Sequence, residues 1–326
     1  MKKILLILLL LISFLCIPYY NNDYIDITHM VNVSSMGLDY QDNKFTIYAY
    51  VINNYTMSKN DYNTSSNSKV ATIITSSSDT IDDAFFKLYD SVFVKLNFSH
   101  LETIVLQTNF ISSQYMEQLI NYISTHNDFY PKFNVYITNE NLKELFNIDY
   151  FSDTSSYYNI LTEYKSEIEH HHTTFIDLIN DFEEINYFVM YPSLKLKENI
   201  LRDDKKGTSL YIDGYYYLSN GMLSKITYED NSLLYFLYST NDISFKYTNQ
   251  NYYLTSLSIK TFKFNKKFYL LVYSKSNYNE SFKDLIKNNL ISLYNNNIDV
   301  YNLKYFDIDP NNIIILSVQK ETKKSL

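Results

Sequence analysis

Residues 80–107 read TIDDAFFKLYDSVFVKLNFSHLETIVLQ, and the change of period inside this stretch decides the fold. Ile81, Phe85, Leu88, Tyr89 and Val92 recur at helical spacing, which gives one apolar helix face. Thr80 stands just ahead as an N-cap, and Asp83 three residues on supplies a capping-box-like carboxylate. From His100 to Gln107 the chain becomes short, apolar and rich in β-branched residues, the pattern of a strand. A helix that feeds directly into a strand implies a sheet with helices packed on it.

The same alternation continues outward. Ser113–Thr125 reads as a helix and Phe133–Thr138 as a strand, and Asn139 is expected to cap a short helix carrying Leu142, Leu145 and Phe146. Upstream, His29, Val31 and Val33 share one face of an extended segment. Phe45, Ile47, Ala49 and Val51 alternate along its neighbour, with Gln41-Asp42-Asn43 as the turn between them. Asn53 to Lys69 is polar and reads as an exposed loop, followed by a short strand over Val70–Ile74.

Between Asp149 and Glu184 the pattern is polar and helical, over Tyr157–Glu169 and then Thr173–Glu184. A second series then begins with an extended segment through Pro192. Leu210–Leu218 pairs with Met222–Ile226 through Ser219-Asn220-Gly221, a hairpin signal. Thr227 heads a helix with Leu233, Leu234, Phe236 and Leu237. Long strands over Tyr252–Phe264 and Lys267–Tyr273 flank an Asn265-Lys266 turn. Ser281 and Asp284 open a helix lined by Phe282, Ile286, Leu290 and Leu293, and the apolar run Ile313–Val318 is expected as a buried strand.

The expected fold class is therefore α+β, in two or three domains, each a mixed or antiparallel sheet with packed helices. The expected organisation is a signal peptide at 1–16, an N-terminal α+β domain at 17–148, a helical linker region at 149–186, and a C-terminal α+β domain at 187–326.

At 326 residues and 46% apolar, the chain can build real cores. Its formal net charge of −8, with no basic stripe, argues against nucleic acid as a partner. The 35 tyrosines, the single arginine Arg202 and the lack of tryptophan fit the codon bias of an AT-rich genome. They are not taken as a stacking platform for bases or sugars.

Lys2 and Lys3 precede the unbroken apolar run Ile4–Ile12, the charged head and hydrophobic region of an export signal. The run to Ile17 is interrupted only by Ser13 and is shorter than the ~20 residues that span a bilayer. The only cysteine, Cys16, sits where that signal ends, so an internal disulfide is excluded. Three readings of Cys16 stay open: lipidation, as in a bacterial lipoprotein; the tail of an uncleaved anchor; or ordinary cleavage nearby. Leu15 stands where a small residue is usual before a lipidated cysteine.

Four glycines in all, Gly37, Gly207, Gly214 and Gly221, leave no GxGxxG, P-loop or G-x-S-x-G elbow, and H-E-x-x-H is also absent. His170-His171-His172 is the obvious metal candidate. Successive helical residues point about 100° apart, however, so a solvated interdomain segment is the expected reading. Asp177 and Asp181, four apart, share a helix face as an acid/base pair or cation site would require, yet their polar setting suggests a solvated face. Asp82 and Asp83 complement the helix dipole in a first turn. Glu183 and Glu184 form one more acidic pair, and His29, His100 and His126 are expected to be structural. Neither a cofactor nor a metal is expected, and no catalytic residue is proposed.

Taken as an ordered series, several motifs resemble one family. Cys16 is followed by Asp23-Tyr24-Ile25-Asp26, then Met36-Gly37-Leu38-Asp39, then Lys44-Phe45-Thr46-Ile47-Tyr48-Ala49-Tyr50-Val51-Ile52-Asn53. Thr80-Ile81-Asp82-Asp83-Ala84 and Phe98-Ser99-His100-Leu101-Glu102-Thr103-Ile104-Val105 come next. Asp213-Gly214-Tyr215-Tyr216-Tyr217 then leads to Asn220-Gly221-Met222-Leu223 and Glu229. This order is similar to that of the Ger(x)C lipoproteins, the C subunits of spore germinant receptors. The resemblance implies a non-catalytic subunit with a lipid on Cys16, held at the outer face of the spore inner membrane. It implies as partners two multi-spanning membrane subunits, of A and B type. The alternative from the residues alone is an envelope lipoprotein that binds a solute or peptide, unrelated to spores.

Overall fold

The computed structural model describes residues 30–52, 71–111, 113–147, 173–183, 189–202, 205–219, 222–227, 243–247, 250–254, 258–275, 280–296, 298–301, 303–304 and 306–319. The fold is mixed α+β. Strands β1 (Met30–Gln41) and β2 (Lys44–Ile52) form the expected antiparallel hairpin, closed by Gln41 opposite Lys44. Asp42 and Asn43 both take left-handed backbone, φ 53° and 59°. That is the turn whose twist matches paired strands, and short polar side chains tolerate it best. β3 (Ala71–Ser78) pairs with β2 along its whole length, from Ile52 opposite Ala71 to Phe45 opposite Ser78. It therefore runs beyond the expected Val70–Ile74. Its second half, Thr75-Ser76-Ser77-Ser78, has no strand signature of its own and is held by its partner.

Helix α1 (Ile81–Asp90) starts where expected: Thr80 is extended, and its hydroxyl accepts the Asp83 N–H at 3.2 Å. After the short β4 (Lys95–Asn97), β5 begins only at Thr103 (Thr103–Gln107) and not at His100. His100 is exposed in a turn in which the Leu101 N–H donates to the Phe98 carbonyl at 3.0 Å. Helix α2 (Ser113–Thr125) and β6 (Asn134–Thr138) follow. The short helix α3 (Leu142–Phe146) is capped by Asn141, whose side chain accepts from the Lys143 and Glu144 amides. Asn139 is not the cap, because the Thr138 hydroxyl already accepts the Glu140 N–H in the turn before it.

Helix α4 (Phe175–Glu183) then leads to β7 (Met190–Arg202), β8 (Lys205–Ser219) and β9 (Met222–Thr227). The first sheet has nine strands in the order β3-β2-β1-β5-β6-β7-β8-β9, with β4 also paired to β1. β1, β5, β6 and β7 are mutually parallel, and antiparallel hairpins extend the sheet on both sides. Ile137 opposite Ser193 and Thr138 opposite Leu194 carry this sheet across the expected division at residue 187. β8 and β9 form the expected hairpin, Ser219 opposite Met222.

One sheet face is covered by α1, α2 and α4. Phe85 of α1 stacks on Tyr122 of α2 at 4.1 Å, with Phe98 and Phe129 edge-on to it. Phe175 and Leu178 of α4, inside the expected linker, are buried in the same core. On the opposite face, α3 seats Leu142, Leu145 and Phe146 over Val105, Tyr136 and Leu194.

A hairpin of β10 (Ile243–Tyr247) and β11 (Gln250–Leu254) precedes a separate three-stranded sheet. β12 (Ser258–Phe264) and β13 (Lys267–Ser274) join through Asn265 and Lys266, again both left-handed. Tyr252–Phe264 is thus not one strand, since β11 ends at Leu254 and β12 starts at Ser258. β14 (Ile313–Gln319) lies parallel to β13 at the sheet edge. Only one side of it is buried, through Ile313 and Ile315, so the apolar run marks a one-faced edge strand. Helix α5 (Glu280–Asn295) covers that side with Phe282, Ile286 and Leu290. Leu293 and Ile298 meet Met190, Tyr215, Tyr217 and Ile226 of the first sheet in an apolar seam.

The expected loop at 53–69, helix at 157–169 and helix after Thr227 lie outside the described residues, as do Cys16, His29 and His170-His171-His172.

Candidate functional site

Of the quoted motifs, Met36-Gly37-Leu38-Asp39 lies on β1 and Asp213-Gly214-Tyr215-Tyr216-Tyr217 on β8, both strands of the first sheet. In Met36-Gly37-Leu38-Asp39, Met36 and Leu38 enter the helix-covered core and Gly37 faces α3. A Cβ at Gly37 would stand 2.5 Å from Phe146 Cε2 and 3.3 Å from Leu142 Cδ1. Glycine here lets α3 lie directly on the sheet. Asp39 follows, and its negative charge, together with burial as the larger cause, raises the Tyr48 hydroxyl pKa.

The Asp213-Gly214 step forms a bulge in β8. Ser193 pairs with Gly214 but Leu194 pairs with Ile212, so Asp213 is the extra residue. Its side chain is only 11% exposed, and Oδ2 accepts from Lys225 Nζ at 2.7 Å, with Lys195 Nζ at 3.9 Å. Lys225 Nζ also lies 5.2 Å from the centre of the Tyr216 ring. Burial, and then the Asp213 charge, raise the Tyr216 pKa. The Asp213 carboxylate thus meets two ammonium groups at a bulge inside the sheet. The Asp-Gly pair in an otherwise regular strand is the signal that points to this bulge. The two lysine partners depend on register and are not readable from spacing.

The i,i+4 pair on α4 divides. Asp177 Oδ2 accepts from both the amide and the hydroxyl of Thr174 at 2.8 Å, closing the helix start. Asp181 accepts the Tyr191 hydroxyl at 2.6 Å, tying α4 to β7. The pair is neither a convergent acid/base couple nor a plain solvated face. Burial pushes the Asp181 carboxyl up to about 6, against the lowering effect of hydrogen bonds from Tyr191 and Val189. The folded chain therefore keeps a proton that the unfolded chain, at the ordinary value of 3.8, has released. Stability from this group is present below pH 3.8 and is lost as pH rises towards 6. Asp181→Asn should raise the melting temperature at pH 7.5 and change it little at pH 4. The gain is about 1–2 kcal/mol after discounting for partial exposure. An equal change at both pH values, or a loss at pH 7.5, would contradict the assignment.

His126 stacks on Tyr122 at 3.9 Å, with Nδ1 2.8 Å from the Tyr122 carbonyl. Asp82 and Asp83 occupy the first turn of α1. Among the described residues no group of three or more His, Cys, Asp or Glu could hold a metal ion, and no helix is long and apolar enough to cross a membrane. Within the described residues these side chains fix a glycine contact, a bulge and a helix-to-strand tie.

Among solved structures, the crystal structure of the GerBC protein is similar at a TM-score of 0.35 and 11% identity, covering 84% of each chain. Comparison with curated proteins gave no match. The family model described as the spore germination protein N-terminal domain matches residues 23–196, more than half of the chain. That stretch begins at the acidic Asp23-Tyr24-Ile25-Asp26 patch and ends within β7, so the chain belongs to the spore germination protein family, that of the Ger(x)C germinant-receptor C subunits.

Proposed function

We propose that this chain is the non-catalytic, membrane-tethered subunit of a nutrient germinant receptor. It is held by a lipid on Cys16 at the outer face of the spore inner membrane and works beside two multi-spanning membrane subunits. The family match over residues 23–196 carries this reading. The charged head, short apolar run and lone cysteine at the N-terminus support the tether. Tethering confines the folded part near integral partners and raises its effective concentration, so modest interfaces suffice for signalling. Neither a cofactor nor turnover is required.

Cys16→Ala tests the tether. A diacylglyceryl group supplies two chains, enough for stable anchoring where one chain gives only marginal binding. Fatty-acid label should be incorporated by the wild type and lost in Cys16→Ala. The variant should leave the membrane fraction without a fall in melting temperature, and nutrient-triggered germination should slow. Equal labelling of both proteins, or a mature chain that still starts at Met1, would remove the lipid from the account.

A further inference from the structure

The three-stranded sheet has one face on α5, and its other face carries exposed apolar side chains. Alternation along β13 buries Phe268, Leu270 and Val272 against α5 and turns Tyr269 and Leu271 outward. Opposite them on β12, Phe262 pairs with Tyr269 and Phe264 with Lys267, so both phenylalanines share the outer face. Phe262 is 44% exposed, Phe264 62% and Leu316 of β14 40%. Phe262 stacks flat on Tyr269 at 4.6 Å, which fixes its ring.

Charge sets this face apart. Between Asp242 and Glu280 the sequence holds six lysines and no carboxylate, in a chain whose net charge is −8. Lys263 Nζ lies 3.2 Å from the centre of the Phe306 ring, Lys266 pairs with Asp307 at 2.5 Å, and Lys260 Nζ lies 5.7 Å from the centre of the Tyr273 ring. Lys260 and Lys267 flank the exposed phenylalanines on the outer face, opposite Leu271 and Phe264. Two aromatic rings rimmed by ammonium groups match the interface of an anionic bilayer. There the rings enter the headgroup region and lysines meet lipid phosphates.

We infer that the β12–β13 hairpin docks on the anionic lipid surface of the membrane through Phe262, Phe264, Lys260 and Lys267. The inference rests on the tethered reading only for proximity: an anchored chain meets lipid at high effective concentration, so a weak second contact holds. The hairpin then fixes which side of the chain faces the bilayer.

The chain contains no tryptophan, so Phe264→Trp in the full chain creates a single reporter at the hairpin. Its emission should shift to the blue, and be quenched by spin-labelled acyl chains, on vesicles of phosphatidylglycerol with phosphatidylcholine. Vesicles of phosphatidylcholine alone should give little shift. Adding Lys260→Gln and Lys267→Gln should raise the lipid needed for half the shift roughly thirtyfold, and salt should act in the same direction. Emission that stays at its solution value overturns the inference, whether or not the chain sediments with vesicles. So does an equal shift on both vesicle types, or a shift that appears only with a protein partner. A Cys16→Ala chain that stays in the membrane fraction as firmly as the wild type would remove the lipid tether from the account, and a blue shift kept on anionic vesicles would still leave the hairpin contact standing.

Discussion

Gly214→Ala should destabilise the chain by about 3 kcal/mol or more, seen as a lower urea midpoint and loss of the β8–β9 pairing. A Cβ at this position would stand 2.0 Å from the Ile226 carbonyl oxygen and 2.7 Å from Thr227 Cα. Both obstacles are backbone of the neighbouring strand β9, so no rotamer change relieves the overlap. The φ of 154° adds to the cost for an L side chain. Relief requires β9 to move, and Ile226 of β9 lies with Tyr215 and Tyr217 in the seam that meets Leu293 and Ile298. The effect should therefore reach α5, and amide exchange should quicken in β8, β9 and the C-terminal end of α5 together. Asp213→Asn, which keeps the shape of the bulge, should cost far less. Equal stability of Gly214→Ala and wild type would show that the bulge geometry is wrong.

Elements with local signals were legible in the sequence. The β1–β2 hairpin needs two short polar residues in left-handed backbone, and Asp42-Asn43 announces that need. Thr80 and Asp83 mark the start of α1 because capping is a contact between near neighbours. Ser113–Thr125 is a helix over the expected span because its apolar period is uninterrupted. Elements set by distant partners were not legible. Ser76, Ser77 and Ser78 are strand only because β2 lies beside them. Likewise, β7 to β9 begin a second strand-helix series in sequence but extend the first sheet in space, through Ile137 opposite Ser193. Period and turn residues say where a strand is, not which sheet it joins.

The candidate site divides on the same ground. Asp213-Gly214 was legible as a motif, while its clamp by Lys195 and Lys225 depends on a register shift. Asp181 and Tyr191 sit on different elements, and nothing in their spacing foretells a 2.6 Å hydrogen bond. The family resemblance was legible because it rests on motif order, and order survives without any knowledge of contacts.

The central claim is that the chain serves nutrient-triggered germination as a receptor subunit. The most direct test deletes residues 17–326 in the spore-forming host and measures the loss of refractility after each nutrient, with and without the full chain restored in trans. The account predicts normal spore formation and germination blocked for at least one nutrient, recovered by the full chain. Spores of the deletion strain that respond to every nutrient as the wild type does, in a background with no second receptor, would contradict it.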